Sequence, residues 1–164
     1  MSTAEIISLL ALIAQGFLVY YAARTIKENG SASKRRAIVD LIIKQREDLA
    51  LRRAFELMYE MRQQEDGFVK LFDDQEKMHE ILYALDNMEF VAVGIRLGAF
   101  DEDVYKELQC SKVRKTWEAA SGFVMELRRR KHLPTLYQDL EHLANKWDAS
   151  PIAELKKNTY RKTN

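Results

Sequence analysis

The chain has 164 residues, a formal net charge of +1, 31% charged residues and a single cysteine, Cys110. That length supports one domain with a core of its own. The near-zero charge argues against the basic face of a nucleic-acid binder, and one cysteine offers no intramolecular disulfide, which suits a reducing compartment.

Residues 6–23 carry no charge, and only Ser8 and Gln15 among them are clearly polar. As a helix this run rises about 27 Å, close to the roughly 30 Å of a bilayer's hydrocarbon core. Tyr20 and Tyr21 stand near its end, where amphipathic rings suit the headgroup region. A signal peptide begins with bases and ends in a small-residue cleavage site. Here Glu5 precedes the run and Tyr-Tyr-Ala-Ala-Arg closes it. A buried core helix would need wrapping on every face. The run predicts a transmembrane anchor over residues 1–27. Ser8, Ala11, Gln15 and Ala22 recur at steps of three, four and seven, a stripe through which copies of the anchor can associate.

Residues 24–36 hold Arg24, Lys27, Lys34, Arg35 and Arg36 against Glu28. Basic flanks stay in the cytoplasm, so the N-terminus is expected outside and the rest inside, at a bacterial inner membrane. Beside anionic lipid each base contributes about 1 kcal/mol. Without the five bases and two acids of residues 1–36, the remainder has 21 bases and 23 acids, a balance of −2. These bases therefore read as orientation and lipid contact ahead of any nucleic acid.

Residues 28–33, with Gly30 among small polar neighbours, predict a hinge, and Ser31 or Ser33 a cap for the next helix. From Lys34 to about Gln64 the apolar steps Ile38, Leu41, Ile42, Leu49, Phe55, Met58 and Met61 predict one long amphipathic helix. Asp73 and Asp74 predict an N-cap. Met78, Ile81, Leu82, Leu85, Met88, Val91, Ala92 and Ile95 carry that helix to a turn at Gly98, and the apolar stretch 91–94 makes it central. Asp101 caps the next helix, with Glu102 and Asp103 in its first turn, and Ser111 offers a further start. Val113, Trp117, Ala120, Val124 and Leu127 lead to Arg128-Arg129-Arg130-Lys131, placed to complement a helix dipole. Pro134 restarts a helix through Leu140, Leu143 and Trp147, and residues 148–151 break it. Residues 151–164 form a basic tail. The expected architecture is all-α: one transmembrane helix, then a cytoplasmic bundle of about five helices over residues 34–150.

Glycine-rich phosphate loops, H-E-x-x-H and zinc spacings are absent from the sequence. Glu76 and His79 make one Glu-x-x-His, but a di-iron bundle needs two, so no metal and no cofactor is expected. Arg128 and His132 form an i, i+4 pair, the residues that a degenerate HEPN-like ribonuclease would use. Their spacing is shorter than that nuclease pattern, and two exposed bases at a helix end is the plainer account. Asp86 and Glu89 share one face of an apolar helix. A buried carboxylate must be paired or protonated, so they predict a buried ion pair, with Arg96, Arg114 or a base of the long helix as partner.

Three segments, LDNMEFVAVGIRLGAFDEDVYKE, KVRKTWEAASGFVMELRRR and LYQDLEHLANKW, resemble the domain-of-unknown-function 4760 family. The resemblance covers nearly the whole chain. It rests on Leu85, Glu89, Gly94, Ile95, Gly98, Asp101 and Glu102, then Arg128, Tyr137, Glu141, Leu143 and Trp147. It implies a small bacterial or phage-associated protein with one membrane helix, a helical cytoplasmic domain and no established reaction. Asp86 stands where the family tends to have Asn, so an amide-specific role there does not carry over. In layout alone the chain is also similar to the membrane-anchored accessory protein encoded beside some RNA-targeting CRISPR effectors. That likeness implies assembly into a membrane pore during antiphage defence. The functional expectation is a homo-oligomeric membrane protein that acts through assembly, as a defence or stress accessory. The alternatives are a tethered ribonuclease or a scaffold for a cytoplasmic partner.

Overall fold

The structure is a computed structural model. It describes residues 3–64, 67–150 and 152, and in the first helix the side chains of Leu18, Tyr20, Tyr21, Arg24, Thr25 and residues 28 onward. Six helices and no strand occur among the described residues: α1 (Thr3–Glu47), α2 (Leu49–Gln63), α3 (Gly67–Leu71), α4 (Gln75–Arg96), α5 (Glu102–Lys131) and α6 (Gln138–Ala149). Helix α4 packs against α2 and α6, and α5 packs against the same two, so these four enclose the core. Ile81, Leu85, Met88, Phe123, Leu127, Leu140 and Trp147 are all but sealed from solvent there.

The expected hinge at residues 28–33 is absent, because α1 runs through it unbroken. A Cβ on Gly30 would meet nothing, so this glycine sits in open space. Its cost in a helix is about 1 kcal/mol. Breaking the helix would forfeit the backbone bonds on both sides. The Arg24–Glu28 pair at 2.7 Å supports the turn before it, and Arg35, bonded to Asp101 at 3.0 Å, fixes the turn after it.

The expected helix from Lys34 to Gln64 breaks once, at Asp48. Its extended backbone (φ −75°, ψ 102°) lets its carboxylate accept the Leu51 N–H at 2.8 Å and the Tyr83 hydroxyl at 2.6 Å. A short acidic side chain that can bond its own helix start competes with helix continuation. Asp48 N–H still reaches the Lys44 carbonyl, so a single residue leaves the helical path.

Helix α4 begins and ends as its sequence implies. Asp74 accepts the Lys77 N–H at 3.1 Å. At the other end Gly98 adopts φ +68°, its N–H reaches the Ile95 carbonyl, and the Ala99 N–H reaches the Gly94 carbonyl. That paired closure needs the left-handed conformation that glycine supplies without strain. Asp101 caps α5 through Val104. Ser111 starts nothing: it lies exposed within a continuous 30-residue helix. Pro134 does not open α6 either, since residues 134–137 form turns and the helix begins at Gln138.

Among the described residues no helix is long and apolar enough to cross a membrane. The side chains of residues 6–17, most of the uncharged run, lie outside them. So do those of Ser8, Ala11, Gln15, Ala22 and Lys27, and the tail residues 153–164.

Candidate functional site

Helix α6 starts from Tyr137, whose left-handed backbone (φ 58°) leaves no side-chain cap of its own. The first N–H groups of a helix need outside partners. Two of them find Glu89 on α4: Asp139 N–H donates to Oε1 at 3.2 Å and Leu140 N–H to Oε2 at 2.7 Å. The anion also faces the positive end of the helix dipole. One turn back along α4, Asp86 Oδ1 accepts the Tyr137 hydroxyl at 2.7 Å. Arg96, the last residue of α4, holds Asp139 through two bonds of 2.6 and 3.2 Å.

Arg128 closes the cluster from α5. Its side chain is 12% exposed. Nε donates to the Leu136 carbonyl at 2.8 Å, and Nη1 meets Glu141 at 2.8 Å. The guanidinium lies 6.0 Å from the Trp117 ring centre, and its Nη2 is buried without a hydrogen-bond partner. Below, Glu102 accepts the Trp147 indole N–H at 3.0 Å and pairs with Lys146 at 2.7 Å.

The expected buried ion pair therefore takes another form. Neither Asp86 nor Glu89 belongs to an ion pair among the described residues. Asp86 is exposed and Glu89 half-buried. A helix N-terminus already offers donors and partial positive charge, so a carboxylate there needs no cation in contact. The proposed partners are used elsewhere: Arg96 on Asp139, and Arg114 on Asp148. Burial pushes the Glu89 carboxyl up, with Asp139 adding repulsion, while the Leu140 and Asp139 N–H groups and Arg128 pull it down. Burial prevails, and the group lies above the usual glutamate range.

Arg128 and His132 are engaged differently within the chain. The guanidinium is committed to the α5–α6 turn, whereas His132 is exposed, in left-handed backbone (φ 54°), with its N–H on the Arg128 carbonyl. The next two bases of the run are also engaged. Arg129 and Arg130 both pair with Glu126, and Arg130 lies 3.9 Å from the Phe72 ring centre. Of the bases in residues 24–36, Arg24 pairs with Glu28 and Arg35 with Asp101, while Lys34 and Arg36 are exposed. Glu76 and His79 are exposed, and no group of three metal-ligating residues occurs among the described residues.

A cleft of about 250 Å³ opens between α4 and α6 beside Arg96, Glu102, Asp139, His142 and Lys146. Its flanking charges are already paired across the cleft, Arg96 with Asp139 and Lys146 with Glu102. The arrangement clamps α6 to both α4 and α5.

The family described as Domain of unknown function (DUF4760) matches residues 5–147. The chain belongs to the DUF4760 family. Comparison with curated proteins and with solved structures returned no match. Several of the residues that carry the DUF4760 resemblance meet in this cluster. Glu89, Arg128, Tyr137 and Glu141 set α6 against α4 and α5. Glu102 and Trp147 fix its far end. Gly94 accommodates the Phe100 ring, which a Cβ would strike. Sequence reading identified Glu89 and Arg128 but assigned them other partners. It missed the Tyr137–Asp86 bond because Tyr137 reads as an ordinary apolar helix position.

Proposed function

We propose that this DUF4760 chain is a single-pass inner-membrane protein, N-terminus outside and bundle in the cytoplasm, whose copies act by assembling. One observation carries the reading. The uncharged run of residues 6–23 lies on the same unbroken helix, Thr3–Glu47, that packs into the bundle. An anchor joined so rigidly passes movement between membrane and domain. The cluster at α6 supports a structural role, since each of its charged groups is spent on holding helices together. Ser8, Ala11, Gln15 and Ala22 are the residues through which the anchors associate, and a Gln-to-Gln bond in the membrane contributes about 0.6–2 kcal/mol. In an antiphage or stress setting such an assembly perturbs the membrane. The tethered-ribonuclease reading gains nothing from the geometry of Arg128 and His132.

The experiment is the mass of the full chain in nanodiscs over a wide concentration range. Oligomers are expected, with Gln15→Leu lowering the mass and any permeability phenotype while leaving insertion intact. A parent protein that stays monomeric throughout refutes assembly.

A further inference from the structure

Phe90, Val93 and Leu97 follow one another on α4 at steps of three and four, and Tyr83 precedes Phe90 by seven. That alternation is the seam of a two-stranded coiled coil. It faces outward: Phe90 is 60% exposed and Leu97 69%, on a helix whose opposite side is core. The Phe100 ring braces Phe90 edge-on, with 5.9 Å between ring centres. Asp86 takes the step between Tyr83 and Phe90 and is held towards α6 by Tyr137.

The two flanks of this ridge differ in charge. On one side α1 runs antiparallel to α4. Gln45 bonds Asn87, and the Lys34 amine lies 3.7 Å from where a Cβ on Gly98 would stand. Lys34, Leu41 and Lys44 keep to one face of α1, at steps of seven and three, and both lysines are exposed. On the α6 side Asp86 is exposed, while Asp139 is already held by Arg96. A half-turn about an axis parallel to α4 brings the basic flank of each copy against the acidic flank of the other. Lys44 is the neighbour of Gln45, which sits at the level of Asn87, so it comes within about 3 Å of the level of Asp86 in the other copy. The same half-turn sends both α1 helices in one direction, as copies in one membrane require. An antiparallel pairing sends them apart.

Aromatic side chains bury about 150–250 Å² each, so Tyr83 and Phe90, with Leu97 and Val93, offer roughly 300–400 Å² per copy. A stable complex buries about 800 Å² per partner. The ridge is too small to hold free copies together. It suits copies already confined to one surface, where effective concentration supplies what area does not.

We propose that the outer face of α4 pairs in parallel with the same face of a second copy, along the seam Phe90, Val93 and Leu97, with Lys44 of each copy against Asp86 of the other. The inference rests on the assembly reading above and gives it an interface within the bundle.

The test uses the full chain in vesicles, with the buried Cys110 left in place. Phe90→Cys and Leu97→Cys are oxidised singly, and copies carrying Lys44→Cys are mixed with copies carrying Asp86→Cys. Disulfide-linked dimers are expected from each seam variant alone, and from the mixture well above either of its components. Met125→Cys, exposed on α5, should link at least tenfold less. Adding Leu97→Glu, a change at an exposed position, should cut the Phe90→Cys link by tenfold or more. Linking at Phe90 without linking at Leu97 means antiparallel helices and overturns the proposal. So does an oligomer in nanodiscs in which neither seam cysteine links, or in which a maleimide labels both fully and so leaves the face to a different protein. A parent chain that is monomeric in nanodiscs removes the assembly reading itself, so the two failures are told apart.

Discussion

Glu89 caps α6 from 50 residues away, its two carboxylate oxygens accepting the N–H groups of Asp139 and Leu140. The bond pair makes the start of one helix depend on the middle of another. Glu89→Ala strands both N–H groups at a half-buried site and should cost about 2–4 kcal/mol. Glu89→Gln should cost about half as much, because its amide NH₂ would face one of the donors. Urea unfolding of the full chain and hydrogen exchange at Asp139 and Leu140 measure both. An alanine variant that matches the parent in both measurements would show that the cap contributes nothing.

The same carboxyl gives a pH signature. Its folded pKa is raised, by burial first, so between the ordinary glutamate value and the shifted one the folded chain binds more protons. Its contribution to stability must fall as pH rises through that window. Asp101 has the opposite sign: the Val104 N–H holds it low, so its contribution is present above the ordinary aspartate value and fades as acid approaches the lowered one. Glu89→Gln should remove the downward slope and leave the acid limb. Carbon-detected titration by NMR should place Glu89 above its usual value, and Glu126, held by Arg129 and Arg130, at about 2.

Arg128 and His132 should separate cleanly. Arg128→Ala removes the donor to the Leu136 carbonyl and the partner of Glu141, and is expected to cost about 2–4 kcal/mol. His132→Gly relieves a left-handed backbone and should stabilise by about 0.5–1 kcal/mol. Thermal melts of both variants check this. Equal losses from the two would restore the idea of a shared role.

Gly94→Ala would drive a methyl into Phe100. Helix propensity favours alanine by about 1 kcal/mol, yet overpacking costs about 1–3 kcal/mol, so net destabilisation is expected. Phe100→Ala should cancel much of the penalty in a double-mutant cycle. Strict additivity would show that the ring moves aside without cost.

Topology is open to a reporter fused at the C-terminus. The bases of residues 24–36 outnumber their one acid by four, against Glu5 ahead of the run. Cytoplasmic reporter activity is expected, and a periplasmic signal would reverse the orientation.

What could be read in advance was local chemistry. Asp74 and Asp101 bond N–H groups three residues away, and Gly98 turns a chain that needs positive φ, so sequence neighbours alone determine these ends. The break at Asp48 depends also on Tyr83, 35 residues distant. The Glu89 cap depends on where α6 is brought, and carboxylate chemistry alone cannot distinguish a cation from a helix N-terminus as its partner. Gly30 misled for the converse reason: its weak helix preference was overridden by ordered turns on either side. Motif reading thus found which residues matter in the cluster while missing the contacts that make them matter.

The unbroken α1 makes the joint between residues 6–23 and the bundle behave like a keyed shaft. A swivel would let each end settle independently; a helix fixes their relative angle residue by residue. One alanine inserted beside Gly30 should turn one end against the other by about 100° and lengthen the shaft by only about 1.5 Å. Four inserted residues should bring the two ends nearly back into phase, at about 40°. Activity that falls with one insertion and recovers with four would mean that the angular setting carries the signal, and that the distance between the ends does not.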